Sequence, residues 1–528
     1  MVQLGTGTKM DRELHAKLAA QLPEYLPKQR WFGGKARKIE SVDVVDTIPI
    51  SVKNGNAYIF VAKVHYADGA DEFYAIPLAS VESPGAEGLN IPDPDGGTTT
   101  LADGLKNTAF MTALAELIEK GTAVAGVSGE LRGQQTTAFS KLSPEPVSSL
   151  TPKPVGAEQS NTSIIYGNRL ILKFFRRIQE GLNPDLEIGQ FLTEKTPLKS
   201  VPPLAGKLEY QARDRKPMAQ GMLQKFVPNQ GDAWGFTLKS LASYYDEVRK
   251  ILKADGGDPP AATKGNPVAS IPDTAKSAFE SYLGAAALLG QRTAEMHLAL
   301  ASDASDPAFA PEPFTMESQQ ALEQSVSALL VRVFSLLRDK MKYLPTEWRA
   351  RAEKLAERES EIAARFNTAL REPIRAMRTR IHGDYHLGQV LRTENDFVII
   401  DFEGEPARSI EERRVKRSPL QDVAGMLRSF HYAAFAPLLR EERVSGDDVT
   451  RMGAWAEAWN SRVTERYVAK YFETAKDAAY LPTTEAEIQT VLELHLLEKA
   501  IYELGYELNN RPTWVGIPLQ GISKLLAM

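Results

Sequence analysis

The chain has 528 residues, 43% hydrophobic and 25% charged, with a mean hydropathy of -0.29, which excludes disordered, collagen-like and fibrous classes and predicts two or three packed units. A net charge of -5, from 63 Lys plus Arg against 68 Asp plus Glu, gives no general pull toward phosphate backbones or anionic lipid, so neither nucleic acid nor a membrane is an expected partner. The absence of cysteine excludes disulfides, thiolate nucleophiles and Cys-ligated metals; with no signal-peptide pattern and no spanning apolar run, a cytoplasmic protein is expected.

Apolar spacing predicts a short helix over 11–22, followed by a loop-like stretch from Gln29 to Arg37 that sets Trp31 and Phe32 beside Gly33 and Gly34. Three strands are expected over 39–50, 57–66 and 71–81, from β-branched and aromatic enrichment between turns. Pro84 to Thr100, rich in Pro, Gly and Asp, reads as a linker, which puts a first unit at 1–99. A second, β-rich unit is expected over 100–230: a helix at 101–120, strands at 126–139, 159–175 and 208–227, and a helix after Asn183-Pro184 with Asn as N-cap and Pro in the first position. From 231 to 528 the patterning is helical, over 238–252, 274–300, 316–342, 346–371, 421–439, 450–476 and 484–509, apart from a strand-like island at 396–402.

The most informative stretch lies beside that island. Ile381 to Leu391, IHGDYHLGQVL, is a polar loop entering a short apolar strand, and Phe397 to Pro406, FVIIDFEGEP, is an apolar strand ending in acids. Phosphoryl transfer needs a carboxylate to orient the acceptor hydroxyl and take its proton, a nearby oxygen ligand, and a second carboxylate for Mg2+ against the nucleotide. Asp384, Gln389 and Asp401 offer these in order, on a hairpin that brings them together. A zinc reading of His382 and His386, four apart, competes weakly: Gly383 suits a helix poorly and no Glu follows His382.

Such a site also needs a lysine, and Lys173 sits inside the apolar strand run Leu170 to Phe175, where it needs a partner. Glu187 on the following helix is the first choice and Asp185 the second. Ser160, Asn161, Thr162 and Ser163 stand where phosphate oxygens could be cradled without glycine, although an ordinary polar turn fits them equally. Lys225, Phe226 and Val227 end a strand before Pro228, where backbone groups could pair with adenine; a plain connecting strand is the alternative. In the last long helix Leu497, Ile501, Leu504 and Leu508 form one face and His495, Lys499, Tyr502 and Tyr506 the other, with Arg511 and Trp514 just beyond. Tyrosines on a polar face suit a sugar-binding cleft, against the alternative of packing on a neighbouring helix.

HGDYHLGQVL, IIDFEGEP, SPLQDVAGMLRSF (418–430), QRWFGGKAR and EKAIYELGYELNNRPTWVGIPL together resemble the bacterial maltokinases, over residues 29 to 519. The resemblance implies an α+β, bilobal protein-kinase-like fold with an N-terminal cap subdomain, an intermediate subdomain and a helical C-lobe. It implies ATP- and Mg2+-dependent phosphorylation of maltose at the anomeric hydroxyl, giving maltose 1-phosphate for α-glucan and glycogen synthesis. Lys173 would then hold ATP phosphates with Glu187 as its pair, Asp384 act as base, and Gln389 and Asp401 bind Mg2+. Lys499, Tyr502, Tyr506 and Arg511 would contact sugar, with His382, Glu405 and Trp514 as further acceptor-side candidates. Some relatives are fused to a trehalose-isomerising domain, so association with such an enzyme or with a maltosyltransferase is expected. Related kinases act on glucosamine, and the HGD and DFE motifs occur in aminoglycoside and choline kinases. An amino-sugar or aminoglycoside kinase and a non-catalytic pseudokinase scaffold are therefore the alternatives.

Overall fold

The computed structural model describes residues 9–53, 55–81, 88–92, 98–155, 161–255, 273–440 and 446–527. The chain divides into two compact units, residues 1–228 with 406–413, and residues 229–405 with 414–528.

The first unit opens with helix α1 (Lys9–Tyr25) and holds two antiparallel sheets. One is ordered β1 (Ile39–Pro49), β2 (Ala57–Tyr66), β3 (Glu72–Val81), β5 (Thr98–Asp103), β4 (Leu89–Pro92). The three early strands match the sequence expectation closely, because alternation and turn residues agree there. The linker expectation for 84–100 is corrected where the stretch is described: it holds β4 and the start of β5, and a boundary at 99 would cut β5, which pairs with both β3 and β4.

Helix α2 starts at Thr108 (Thr108–Lys120), not at 101, because Asn107 caps it by accepting the Phe110 N–H. The second sheet runs β6 (Ala123–Ala125), β7 (Gly129–Gln135), β12 (Leu204–Ala212), β13 (Met218–Lys225), β10 (Leu170–Phe175), β9 (Asn161–Tyr166), β8 (Pro152–Pro154). The strand expected over 126–139 is shorter, since the chain turns into α3 (Phe139–Leu142). Burial alternates along β10: Leu170, Leu172 and Phe174 enter the core, while Ile171 and Lys173 lie on the less buried face. After Phe175 the chain leaves this sheet, and β11 (Arg177–Ile178) adds to β3 of the first. Arg176, at the crossing, is buried; it donates to Thr162 and Asp103 and lies 4.8 Å from the Trp31 ring centroid. Helix α4 (Pro184–Lys195) begins as read, with the Asn183 side chain accepting from the Asp185 and Leu186 N–H groups.

The second unit is mostly helical: α5 (Ala233–Asp255), α6 (Asp273–Leu300), α7 (Met316–Lys340), α8 (Thr346–Ala356) and α9 (Glu359–Leu370). The single helix expected over 346–371 is two, broken at Glu357 and Arg358. Two small antiparallel pairs interrupt the helices, β14 (Glu312–Pro313) with β15 (Met377–Arg378), and β16 (Val390–Arg392) with β17 (Phe397–Ile399). The short helix α10 (Ile410–Arg414) falls, up to Arg413, in the segment that belongs to the first unit, and α11 (Leu420–Arg440), α12 (Gly446–Thr474), α13 (Glu485–Asn510) and α14 (Gly516–Ala527) complete the second. Among the described residues no helix is long and apolar enough to cross a membrane.

Candidate active site

In the second unit, the β16–β17 hairpin pairs Val390 with Ile399, and the Ile400 N–H donates to the Gln389 carbonyl at 3.0 Å. Gln389 and Asp401 therefore emerge side by side at the open end of the hairpin. Asp401 lies in the left-handed region at φ 69°, a costly conformation for a residue with a β-carbon, and such strain concentrates at functional sites.

The loop carrying Asp384 is held by a carboxylate that sequence reading passed over. Asp422, 2% exposed on α11, accepts the His382 N–H at 2.7 Å and the Gly383 N–H at 2.9 Å, together with His297 Nε2 at 3.0 Å. Burial alone would raise its pKa, but hydrogen bonding from His297 and the nearby donors outweighs this and holds it below the usual carboxylate range. Gly383 sits at φ 85°, which lets the loop turn so that both N–H groups reach one carboxylate. Asp422 lies within SPLQDVAGMLRSF, so the motif was visible as sequence, but its role needed the packing of α11 under the loop.

His382 is corrected from an acceptor-side candidate to a residue that shapes the loop. It is 1% exposed, its Nε2 meets the Ile400 carbonyl at 2.9 Å, and its Nδ1 accepts the Asp384 N–H at 3.4 Å. Both ring nitrogens are thus engaged by backbone on a non-helical segment, which removes the zinc reading.

Asp384 faces a cavity of about 450 Å³ lined from α11, α13 and the following turn. Lys499 Nζ lies 3.4 Å from Asp384 Oδ1, and His386 Nε2 lies 4.0 Å from Oδ2. Loss of solvent lowers the His386 pKa despite the Asp384 charge. Tyr502, Tyr506, Arg511 and Trp514 line the same cavity, so the face read from helical spacing converges on Asp384. Burial, and then the Glu405 carboxylate that Tyr502 hydrogen-bonds, push the Tyr502 pKa up, keeping its hydroxyl protonated. Arg511 stacks 4.4 Å from the Trp514 ring centroid and donates to Glu507 at 2.6 Å. His495 is corrected: it lies buried, its Nδ1 3.0 Å from Glu498, one turn before the helix reaches the cavity.

In the first unit Lys173 Nζ pairs with Asp185 Oδ2 at 3.1 Å, so the second-choice partner is engaged; Glu187 stands two residues on, partly buried, in the same first turn. Ser163 is corrected from a phosphate-loop position: it is 3% exposed within β9, opposite Lys173. Thr162 already accepts from Arg176, and Asn161 opens the strand. Ser160 lies outside the described residues. The Lys225 and Phe226 N–H groups are committed to the Pro203 and Arg169 carbonyls at 2.9 and 2.7 Å, so neither can donate to a base without breaking a sheet bond.

The donor chemistry suits a hard cation: a carboxylate and an amide side chain, Asp401 and Gln389, stand just beyond the β16–β17 ladder, where the Ile400 N–H bonds the Gln389 carbonyl, with Glu403 two residues on.

Residues 25–106 match the Maltokinase N-terminal cap domain, and residues 278–459 match the Phosphotransferase enzyme family. Over 469 residues, 88% of each chain, the sequence is 23% identical to the glucosamine kinase of Streptacidiphilus jiangxiensis. It is 24% identical over 387 residues to that of Mycolicibacterium smegmatis, covering 71% of this chain and 79% of the relative. A solved glucosamine kinase in complex with glucosamine, ADP and inorganic phosphate superposes with a TM-score of 0.60 at 19% identity, over 96% of this chain and 99% of that one. That likeness establishes the α+β, kinase-like fold.

Proposed function

We propose that this chain, a phosphotransferase of that enzyme family with a maltokinase-type N-terminal cap, phosphorylates maltose at its anomeric hydroxyl with ATP. The products are maltose 1-phosphate and ADP, the former a substrate for α-glucan synthesis.

One observation carries the choice of a neutral sugar. Of the four carboxylates lining the cavity, three are each matched by a cation of the chain, Asp384 by Lys499, Glu503 by buried Arg428 at 2.6 Å and Glu507 by Arg511, while Asp232 accepts the Gly235 N–H at the start of α5. An ammonium acceptor would favour carboxylates left for it to neutralise, whereas a sugar uses aromatic faces and hydroxyl partners such as Tyr502, Tyr506 and Trp514. An amino-sugar acceptor is the second reading, favoured by the names of the two relatives at 23% and 24% identity.

In the proposed reaction the acceptor hydroxyl gives its proton to Asp384 as its oxygen bonds to the γ-phosphorus and the bridging bond to ADP breaks. Lys499, 3.4 Å from Asp384 Oδ1, orients the carboxylate. Asp422 and His382 fix the loop, so that the base is in place before substrate binds. Lys173, aligned by Asp185, would hold ATP phosphates, and Asp401 with Gln389 would hold Mg2+, which when bound neutralises phosphate charge.

The test is ATP consumption with Mg2+ over maltose, glucose, glucosamine, trehalose and kanamycin, with phosphorus NMR of any product. An anomeric phosphate from maltose alone is the expected result. Turnover on glucosamine or kanamycin would replace the acceptor while leaving the phosphotransfer reading intact, and silence on all five would favour a scaffold.

A further inference from the structure

Trp234 lines the acceptor cavity from the first turn of α5, an element apart from the α13 face that carries Lys499 and the two tyrosines. Its indole is partly exposed, and among the described residues it has no ring neighbour, no cation over its face and no hydrogen bond. The other five tryptophans are all engaged: Trp31 with Tyr74 and Arg176, Trp348 with Arg351, Trp455 with Tyr244, Trp459 with Tyr282, and Trp514 with Tyr432 and Arg511. Tryptophan offers a large rigid face at a small cost in conformational entropy, and one left open in a cavity is a ready platform for a ligand ring.

The backbone holds this indole in place from both sides. Before it, the Gln230 N–H donates to the Arg392 carbonyl at 2.7 Å, the Arg392 N–H returns to the Gly231 carbonyl at 2.9 Å, and Asp232 bridges to Leu391, so the entry to α5 is tied to β16. Asp232 then caps the helix, its Oδ1 accepting the Gly235 N–H at 2.7 Å. After it, Phe236 stacks on Tyr282 with ring centroids 5.8 Å apart and meets Phe397 edge-on at 6.2 Å. At about 100° per residue Phe236 lies roughly 200° round the helix from Trp234, so the contacts that anchor this turn do not cover the indole. A platform fixed in this way costs a ligand little reorganisation.

The reacting ring of the acceptor is the one whose anomeric hydroxyl reaches Asp384, where α13 presents Lys499 and Tyr502. Trp234 belongs to another wall, and at about 450 Å³ the cavity falls in the range that encloses drug-sized ligands, larger than a single hexose. Resting on the reading of the acceptor as a neutral sugar, we propose that Trp234 is a specificity-determining residue. Its indole face stacks on the second, non-reacting ring of a disaccharide and so sets the preference of the site for maltose over glucose. Contact with a ring that does not react is made equally before and in the transition state, so it acts through binding and leaves the chemical step to Asp384.

The test is equilibrium binding of maltose, glucose and glucosamine to the full-length protein by isothermal titration calorimetry, which needs no turnover. The wild type should bind maltose more tightly than glucose, and Trp234→Ala should cut the maltose-to-glucose affinity ratio by about tenfold, the loss of one aromatic stacking contact. Trp234→Phe, which keeps a smaller ring, should retain most of that ratio, separating the loss of a platform from a folding defect. A ratio unchanged in Trp234→Ala, or a loss shared equally by maltose and glucose, would overturn the second-ring role while leaving maltose as the acceptor. A wild type that binds glucosamine and not maltose, or none of the three sugars, would overturn the acceptor reading itself and the role of Trp234 with it.

Discussion

Replacing Asp422 with Asn tests the claim that one buried carboxylate holds the loop of the proposed base. The wild-type side chain accepts three hydrogen bonds, from the His382 and Gly383 N–H groups and from His297, at 2.7, 2.9 and 3.0 Å. An amide keeps one acceptor oxygen and turns an NH2 toward at least one of those donors, and every surviving bond loses its charge. A lost bond to an ionised group is worth about 1.5–3 kcal/mol, and a stranded donor adds about 1–3, so a loss of roughly 3–5 kcal/mol is expected. Five of the six tryptophans, all except Trp31, lie in the second unit, so fluorescence melting reports on it; Tm should fall by on the order of 10 °C. The pH dependence supplies a second check. Because the Asp422 pKa is held below its unfolded value of about 3.9, its stabilisation is present above that pH and fades as pH falls through the folded value. The gap between wild type and variant should therefore be full at neutral pH and shrink in acid. A Tm within about 2 °C of wild type at neutral pH would refute the bracing role.

Asp384→Asn should leave ATP affinity nearly unchanged and reduce turnover by about 100-fold or more, measured by steady-state kinetics, since general-base groups contribute at least that much. Unchanged turnover would remove Asp384 from the base role. Tyr502→Ala should raise the KM for the sugar several-fold with little change in the KM for ATP, because Tyr502 lines the same cavity as Asp384. An effect confined to ATP would misplace the acceptor. Asp401→Ala should lose the melting shift that ATP with Mg2+ gives the wild type, and a retained shift would count against Asp401 as the cation ligand.

The three first-sheet strands, the Asn183-Pro184 helix start and the hairpin beneath Gln389 and Asp401 were legible in the sequence because they rest on local rules: alternation, capping and turn chemistry. The linker at 84–100 misled because Pro- and Gly-rich composition does not exclude strands, and only pairing, here of β5 with β3 and β4, reveals them. The tyrosine face of α13 could be read from helical spacing, which orders residues around an axis. What that face looks onto, Asp384 beside Lys499, required the fold.

The types and order of the chemical groups in this protein are determined by the sequence alone: a lysine in an apolar strand, an aspartate in a glycine-bearing loop, and a second aspartate at the end of a hairpin. Their partners were decided by tertiary structure. Asp185 on Lys173, Asp422 under the His382 loop, and Arg428 on Glu503 join residues separated by 12, 40 and 75 positions, at distances set by how helices and strands pack. Local propensity acts over a few residues, whereas a buried charge takes whichever opposite charge or donor the packing brings within about 3 Å, since leaving it unpaired costs more than most single contacts provide.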